Sequence, residues 1–243
     1  MRAFSGNVFD ELVQEYGFVV VYPDGYKGHW NDARISSNFP TRKAGTDDVA
    51  FTKALINEMR AKHDIDAKKV YIAGYSNGGQ MVIRMIHEWP YPFAGAVIIA
   101  ATQPVAANFL AASRETSLPI LLIHGTSDPI VPYNGGMASL WGLNPRGLGL
   151  SARETAHYYA QRNHIDSKPT TSTLEHEGKN SLKVTVEEYN EPGKYPVKLV
   201  LIDGGGHVVP NPYKKAAFLL GKTATQVNSA ELLWDFFHQQ NQE

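Results

Sequence analysis

One serine in this chain sits where it could act as a nucleophile. Ser76 lies in Gly74-Tyr75-Ser76-Asn77-Gly78, after a β-type run, Lys69-Val70-Tyr71-Ile72-Ala73. An apolar, helix-like run from Gly79 to Trp89 follows and stops at Pro90. A serine on a sharp strand-to-helix turn between two glycines is a nucleophile elbow. The tight turn pushes the hydroxyl out of the sheet and lets the next backbone N–H, that of Asn77, face a developing oxyanion. The three fixed positions alone recur by accident in roughly one chain in ten of this length. The flanking strand and helix therefore carry the assignment. The chemistry such a serine would do is acyl transfer.

A lone serine is a poor nucleophile and needs a base, and the base needs a group to orient it. Leu118–Ile123 reads as a strand running into His124-Gly125-Thr126-Ser127-Asp128-Pro129. Val197–Ile202 reads as another, running into Asp203-Gly204-Gly205-Gly206-His207. Asp128 and His207 thus fall just past the carboxyl ends of two strands, where open α/β sheets place their ligands. The order Ser76, Asp128, His207 is that of α/β-hydrolases. Asp203 competes with Asp128 as orienter, but it lies too near His207 in sequence to sit easily behind that imidazole. His124 is expected to be structural. The remaining histidines show no metal-ligand spacing, and acyl transfer by these three groups needs neither a metal nor an organic cofactor.

The elements that must position these residues alternate along the chain. Five strands are expected, at Phe18–Tyr22, Lys69–Ala73, Gly95–Ala100, Leu118–Ile123 and Val197–Ile202. Their apolar continuity suits a parallel sheet buried on both faces. Helices are expected over residues 5–16, 47–62, 79–89 and 151–163, with a last one from about Ser229 to Gln239. Thr46-Asp47-Asp48 suits an N-cap, and Ser151-Ala152-Arg153-Glu154 is a capping box. Residues 132–150 are rich in Gly, Pro and Leu, contain Trp141, and read as a long loop of the kind that forms lids. Residues 170–190 read as a polar hairpin, Thr170–Glu175 and Leu182–Tyr189, turning at Glu177-Gly178-Lys179-Asn180.

The 243 residues suit one domain. Hydrophobic residues make up 43% and charged residues 19%, ordinary values for a globular enzyme. A net charge of −1 offers no electrostatic case for nucleic acid. No run reaches the length of a membrane span, so no membrane partner is expected. The absence of Cys excludes disulfides and thiolate chemistry. It leaves the compartment open: no signal peptide is visible, and the chain reads as cytoplasmic as written, or as secreted if its natural start lies upstream. The oligomeric state stays open.

Together these stretches resemble the polyhydroxybutyrate depolymerase and feruloyl esterase-like branch of the α/β-hydrolases. The matching pieces are Val21-Tyr22-Pro23-Asp24-Gly25, Trp30-Asn31-Asp32, Asp47-Asp48-Val49-Ala50-Phe51, Gly74 to Gly79, His124 to Asp128 and Gly204 to His207. They run nearly the whole chain in the expected order. The resemblance implies a mostly parallel central sheet flanked by helices. It implies Ser76 as nucleophile, His207 as general base and acid, Asp128 as orienter and Asn77 N–H as one oxyanion donor. The second donor would come from a His-Gly-type loop after an early strand. This chain begins at what reads as the following helix, so the resemblance implies a single domain truncated at its N-terminus, without the first strands.

The expected substrate is a small-molecule or polymer-linked carboxylic ester: short acyl, feruloyl or hydroxyalkanoate. Trp30 and Trp141 are the candidate aromatic walls for it, each with an alternative reading as a packed loop residue. Two other functions stay open on sequence. One is a serine peptidase of the prolyl-oligopeptidase type, which shares the triad order. The other is a non-catalytic, ligand-binding protein of the same fold.

Overall fold

The computed structural model describes residues 1–111, 115–174 and 181–239. Its strands are β1 (Tyr71–Tyr75), β2 (Gly95–Ile99), β3 (Ile120–Gly125), β4 (Gly136–Met137), β5 (Leu148–Gly149), β6 (Thr170–Leu174), β7 (Val184–Tyr189) and β8 (Val197–Ile202). Its α-helices are α1 (Val8–Tyr16), α2 (Pro40–Ala44), α3 (Asp48–His63), α4 (Asn77–Glu88), α5 (Ala152–Arg162) and α6 (Ser229–Gln239). Six strands form one sheet in the order β1-β2-β3-β8-β7-β6. β1, β2, β3 and β8 run parallel, and β7 and β6 join them antiparallel. This is the α/β-hydrolase arrangement of a mostly parallel sheet between helices.

The alternation of side chains along the strands builds two cores. Ile98, Leu122 and Leu199 point to one face, where Met81, Met85 and Ile86 of α4 and Ala156 and Tyr159 of α5 cover them. Val97, Ile99, Leu121, Ile123 and Val200 point to the other, against Phe236 and Phe237 of α6. Every residue of β2 and β3 is buried, which explains their unbroken apolar sequences. The helix starts follow their caps. Asp47 accepts a hydrogen bond from Ala50 N–H at 2.9 Å. At α5, Ser151 Oγ accepts from Glu154 N–H and the Glu154 carboxylate accepts from Ser151 N–H.

Phe18–Tyr22 is a correction. It belongs to no strand, and among the described residues β1 pairs only with β2. The apolar alternation that suggested a strand has another cause. Phe18, Val20 and Tyr22 pack on Val8, Phe9 and Leu12 of α1 and on α6, and Phe18 stacks on Trp234 at 5.4 Å. Val19 and Val21 face outward. Helices, not sheet neighbours, thus take up its inward face.

The expected hairpin is β6–β7, and it closes one edge of the sheet. Its proposed turn at 177–180 lies outside the described residues. Residues 132–150 hold the small antiparallel pair β4–β5 and a bridge between Leu140 and Leu143. They form an ordered excursion rather than a bare loop. No helix among the described residues is long and apolar enough to cross a membrane.

Candidate active site

The parallel strands deliver three side chains to one end of the sheet. Ser76 directly follows β1, Asp128 lies just past β3 and His207 just past β8. Ser76 adopts φ 55° and ψ −118°, a conformation that L-residues rarely hold and that costs on the order of 1–3 kcal/mol. Hydrogen bonds on both sides hold it there. Ser76 N–H donates to Ile99 C=O at 2.9 Å, and Gln80 N–H donates to Ser76 C=O at 3.0 Å. The turn is too tight for a side chain at Gly74, where a β-carbon would collide with the Gly78 carbonyl.

Ser76 Oγ lies 2.7 Å from His207 Nε2. His207 Nδ1 lies 2.8 Å from Asp128 Oδ2. The carboxylate can only accept from Nδ1–H, which leaves Nε2 to accept the serine proton. The Asp128 side chain is fully buried, and its other oxygen accepts from Ile130 and Val131 N–H, both at 2.8 Å. Those two donors fix the carboxylate behind the imidazole. His207 is held from behind as well. Its N–H donates to Leu220 C=O at 2.7 Å, and its C=O accepts from Tyr75 Oη–H at 2.7 Å. Burial pushes the Tyr75 hydroxyl well above the usual phenol range, so it stays a donor.

The buried histidines His124 and His87, and Asp203, have different partners. His124 Nε2 lies 3.8 Å from Asp128 but donates to Val131 C=O at 3.0 Å. Burial drives its protonation down, so it stands beside the carboxylate as a neutral ring. Asp203 accepts from Thr126 Oγ1 at 3.1 Å and takes no part in the His207 contact. On α4, His87 is fully buried and burial lowers its pKa to about 3. It bonds Ile83 C=O and Tyr158 Oη.

Asn77 opens α4, and among the described residues its backbone N–H has no hydrogen-bond partner. That leaves it available to an oxyanion beside Ser76. Trp30 lies close by. Its indole nitrogen is within 3.9 Å of where a β-carbon on Gly78 would stand, and its ring stacks on Phe51 at 6.2 Å. Trp141 sits at the tip of the 132–150 excursion and is 48% exposed. Among the described residues no hydrogen bond or ring contact ties it to Ser76, Asp128 or His207.

Two roles were missed in the sequence. Tyr75 is only a member of the elbow motif there, yet it anchors the loop of His207. Asp32 reads as part of a matching motif, yet it is fully buried and bonded to the side chain of Asn77, the residue after Ser76. No local pattern marks either contact, because their partners lie 132 and 45 residues away.

This chain is 27% identical over 232 residues to NocK of Nocardia uniformis subsp. tsuyamanensis, covering 90% of this chain and 65% of NocK. It is 31% identical over 214 residues to feruloyl esterase B of Piromyces equi, covering 84% of this chain and 36% of that protein. Poly(3-hydroxyalkanoate) depolymerase C of Paucimonas lemoignei matches at 32% over 101 residues, covering 40% of this chain and 24% of that protein. The chain thus spans less than two thirds of the length of each of these relatives. A model of the phospholipase/carboxylesterase family matches residues 23–161, more than half the chain, including the Ser76 elbow and Asp128. The chain belongs to the phospholipase/carboxylesterase family.

Proposed function

We propose that this chain is a serine hydrolase of carboxylic esters. The observation that carries the reading is the continuous hydrogen-bond line from Ser76 Oγ through the His207 ring to the buried Asp128 carboxylate. Ser76 Oγ attacks the ester carbonyl carbon while its proton passes to His207 Nε2. Asp128 stabilises the imidazolium that forms. Asn77 N–H donates to the oxyanion, a contact whose removal costs about a hundredfold or more in rate in comparable sites. His207 then protonates the leaving alcohol. Water, deprotonated by the same ring, attacks the acyl-serine and releases the acid.

The substrate class rests on Trp30 and on the relatives. An indole beside the elbow suits feruloyl, short acyl or hydroxyalkanoate groups, on a small molecule or on a polymer. Relatives named for feruloyl and poly(3-hydroxyalkanoate) esters support that range. Residues 132–150 form the lid in this proposal, with Trp141 as its aromatic tip.

The test is hydrolysis of p-nitrophenyl acetate by the chain and by Ser76→Ala side by side. Turnover is expected in the first and only background in the second, with the thermal melts within about 1 kcal/mol of each other. A folded parent chain that matches Ser76→Ala would defeat the reading.

A further inference from the structure

The side chain of Asn77 does no chemistry in the reaction just described, yet it is the most heavily engaged group at the elbow. Its Oδ1 accepts Trp30 N–H at 2.7 Å. Its Nδ2 donates to Trp30 C=O at 3.1 Å and to Asp32 Oδ2 at 2.6 Å. One amide therefore straps the first residue of α4 to the loop that carries Trp30.

The far end of the strap is fixed in turn. Asp32 is 0% exposed, and its carboxylate accepts from Arg34 N–H at 3.0 Å and from Arg34 Nη2 at 2.5 Å. Arg42 Nη2 donates to the carbonyls of both Asp32 and Arg34 at 2.7 Å. A buried ion pair contributes little net stability, but it admits few alternative geometries. Here it orients one acceptor oxygen onto Asn77.

We infer that Asp32 is a positioning residue for the oxyanion site: acting through the Asn77 amide, it sets where the Asn77 backbone N–H points and where Trp30 stands. This rests on the serine-hydrolase reading. The chemistry of the strap explains why the residue after the serine is an amide. A carboxylate there would oppose Asp32, and an apolar side chain would leave Asp32 and both backbone groups of Trp30 without that partner. An oxyanion donor displaced by a fraction of an ångström loses most of its worth in the transition state, while ground-state binding is little affected.

The experiment is a double-mutant cycle with Asp32→Asn, Asn77→Ala and the pair, read as kcat and KM on p-nitrophenyl acetate. In parallel, mass spectrometry follows the rate at which a fluorophosphonate labels Ser76. Each single variant is expected to lose about ten- to a hundredfold in kcat and in labelling rate, with KM changed less than about threefold. The pair is expected to be no slower than the worse single variant, because both break one strap. Losses that multiply, or an Asn77→Ala enzyme with unchanged kcat, overturn the inference while leaving the esterase reading intact. If Asp32→Asn does not fold because Arg34 is left uncompensated, Asn77→Ala decides alone, since it keeps the Asp32–Arg34 pair. A folded parent chain that neither turns over nor labels overturns the reading and the inference together.

Discussion

Asp128 and His207 lie just past β3 and β8, adjoining strands that are paired on both sides and almost wholly buried. Ser76 directly follows β1, which has one paired neighbour among the described residues and a mostly half-exposed sequence. The Asp128–His207 half of the site is thus set in packed interior, where side chains have little room to move. The Ser76 half is held by directed hydrogen bonds: at the Ser76 backbone, from Gln80, and through Asn77 to the Trp30 loop. Two means of positioning meet across 2.7 Å. A disturbance of the first half should therefore show in stability as well as rate. One of the second should show mainly in rate.

The largest effect expected on this contrast comes from Asp128→Asn. The new amide can keep one oxygen on Ile130 and Val131 N–H, which turns its NH₂ towards His207 and forces the wrong ring tautomer. On the precedent of such a swap, kcat falls about 10³–10⁴-fold. Stopped assays on the purified variant measure this, and a loss under tenfold would separate Asp128 from the mechanism.

Next come two glycines, one in each half. A β-carbon on Gly125 would collide with the Gly205 and Gly206 carbonyls, as one on Gly74 would with Gly78. Both alanine variants are expected to lose activity. Gly125→Ala should also lose about 1–3 kcal/mol of stability, since its strand is buried. Gly74→Ala should lose less, because β1 can yield at the edge. Urea melts of the two decide the matter, and equal losses would erase the distinction.

A pH effect of about 2 kcal/mol is expected from His87 between pH 7 and pH 5. Its folded pKa of about 3 lies below the ordinary value of 6.5. The unfolded chain therefore binds the proton first. Stability is fully present above about pH 6.5 and is lost as pH falls towards 3. Thermal melts across this range should show less acid sensitivity in His87→Gln than in the parent.

The smallest effect is that of Tyr75→Phe. It removes one neutral hydrogen bond to the His207 carbonyl, worth about 1 kcal/mol. A few-fold fall in kcat with unchanged KM would mark Tyr75 as a support of the base. No change in either kcat or the melt would mean that the Leu220 contact alone holds the loop.

What could be read from the sequence follows the same division. Ser76, Asp128 and His207 each follow an apolar run ending in a glycine-bearing turn, so local pattern found them and their strands. Phe18–Tyr22 has the apolar composition of a strand, yet composition cannot say whether a helix or a strand will cover its inward face; α1 and α6 do. The Asp32–Asn77 contact depends on the exact course of an irregular loop, and nothing in residue spacing encodes that course. Trp30 and Trp141 are both candidate aromatic walls in the sequence. In the fold one lies over the elbow and the other at the rim of an excursion.

The spans between the contacting residues have a consequence for how the molecule comes into being. The serine–imidazole contact joins residues 131 apart, and the imidazole–carboxylate contact joins residues 79 apart. Closing such loops is paid for in chain entropy before any contact rewards it, and parallel pairing of β3 with β8 is itself non-local. Helical signal should therefore return early on dilution from denaturant, and reactivity at Ser76 should return last. Labelling of that serine during refolding is then a clock for the final assembly of the sheet.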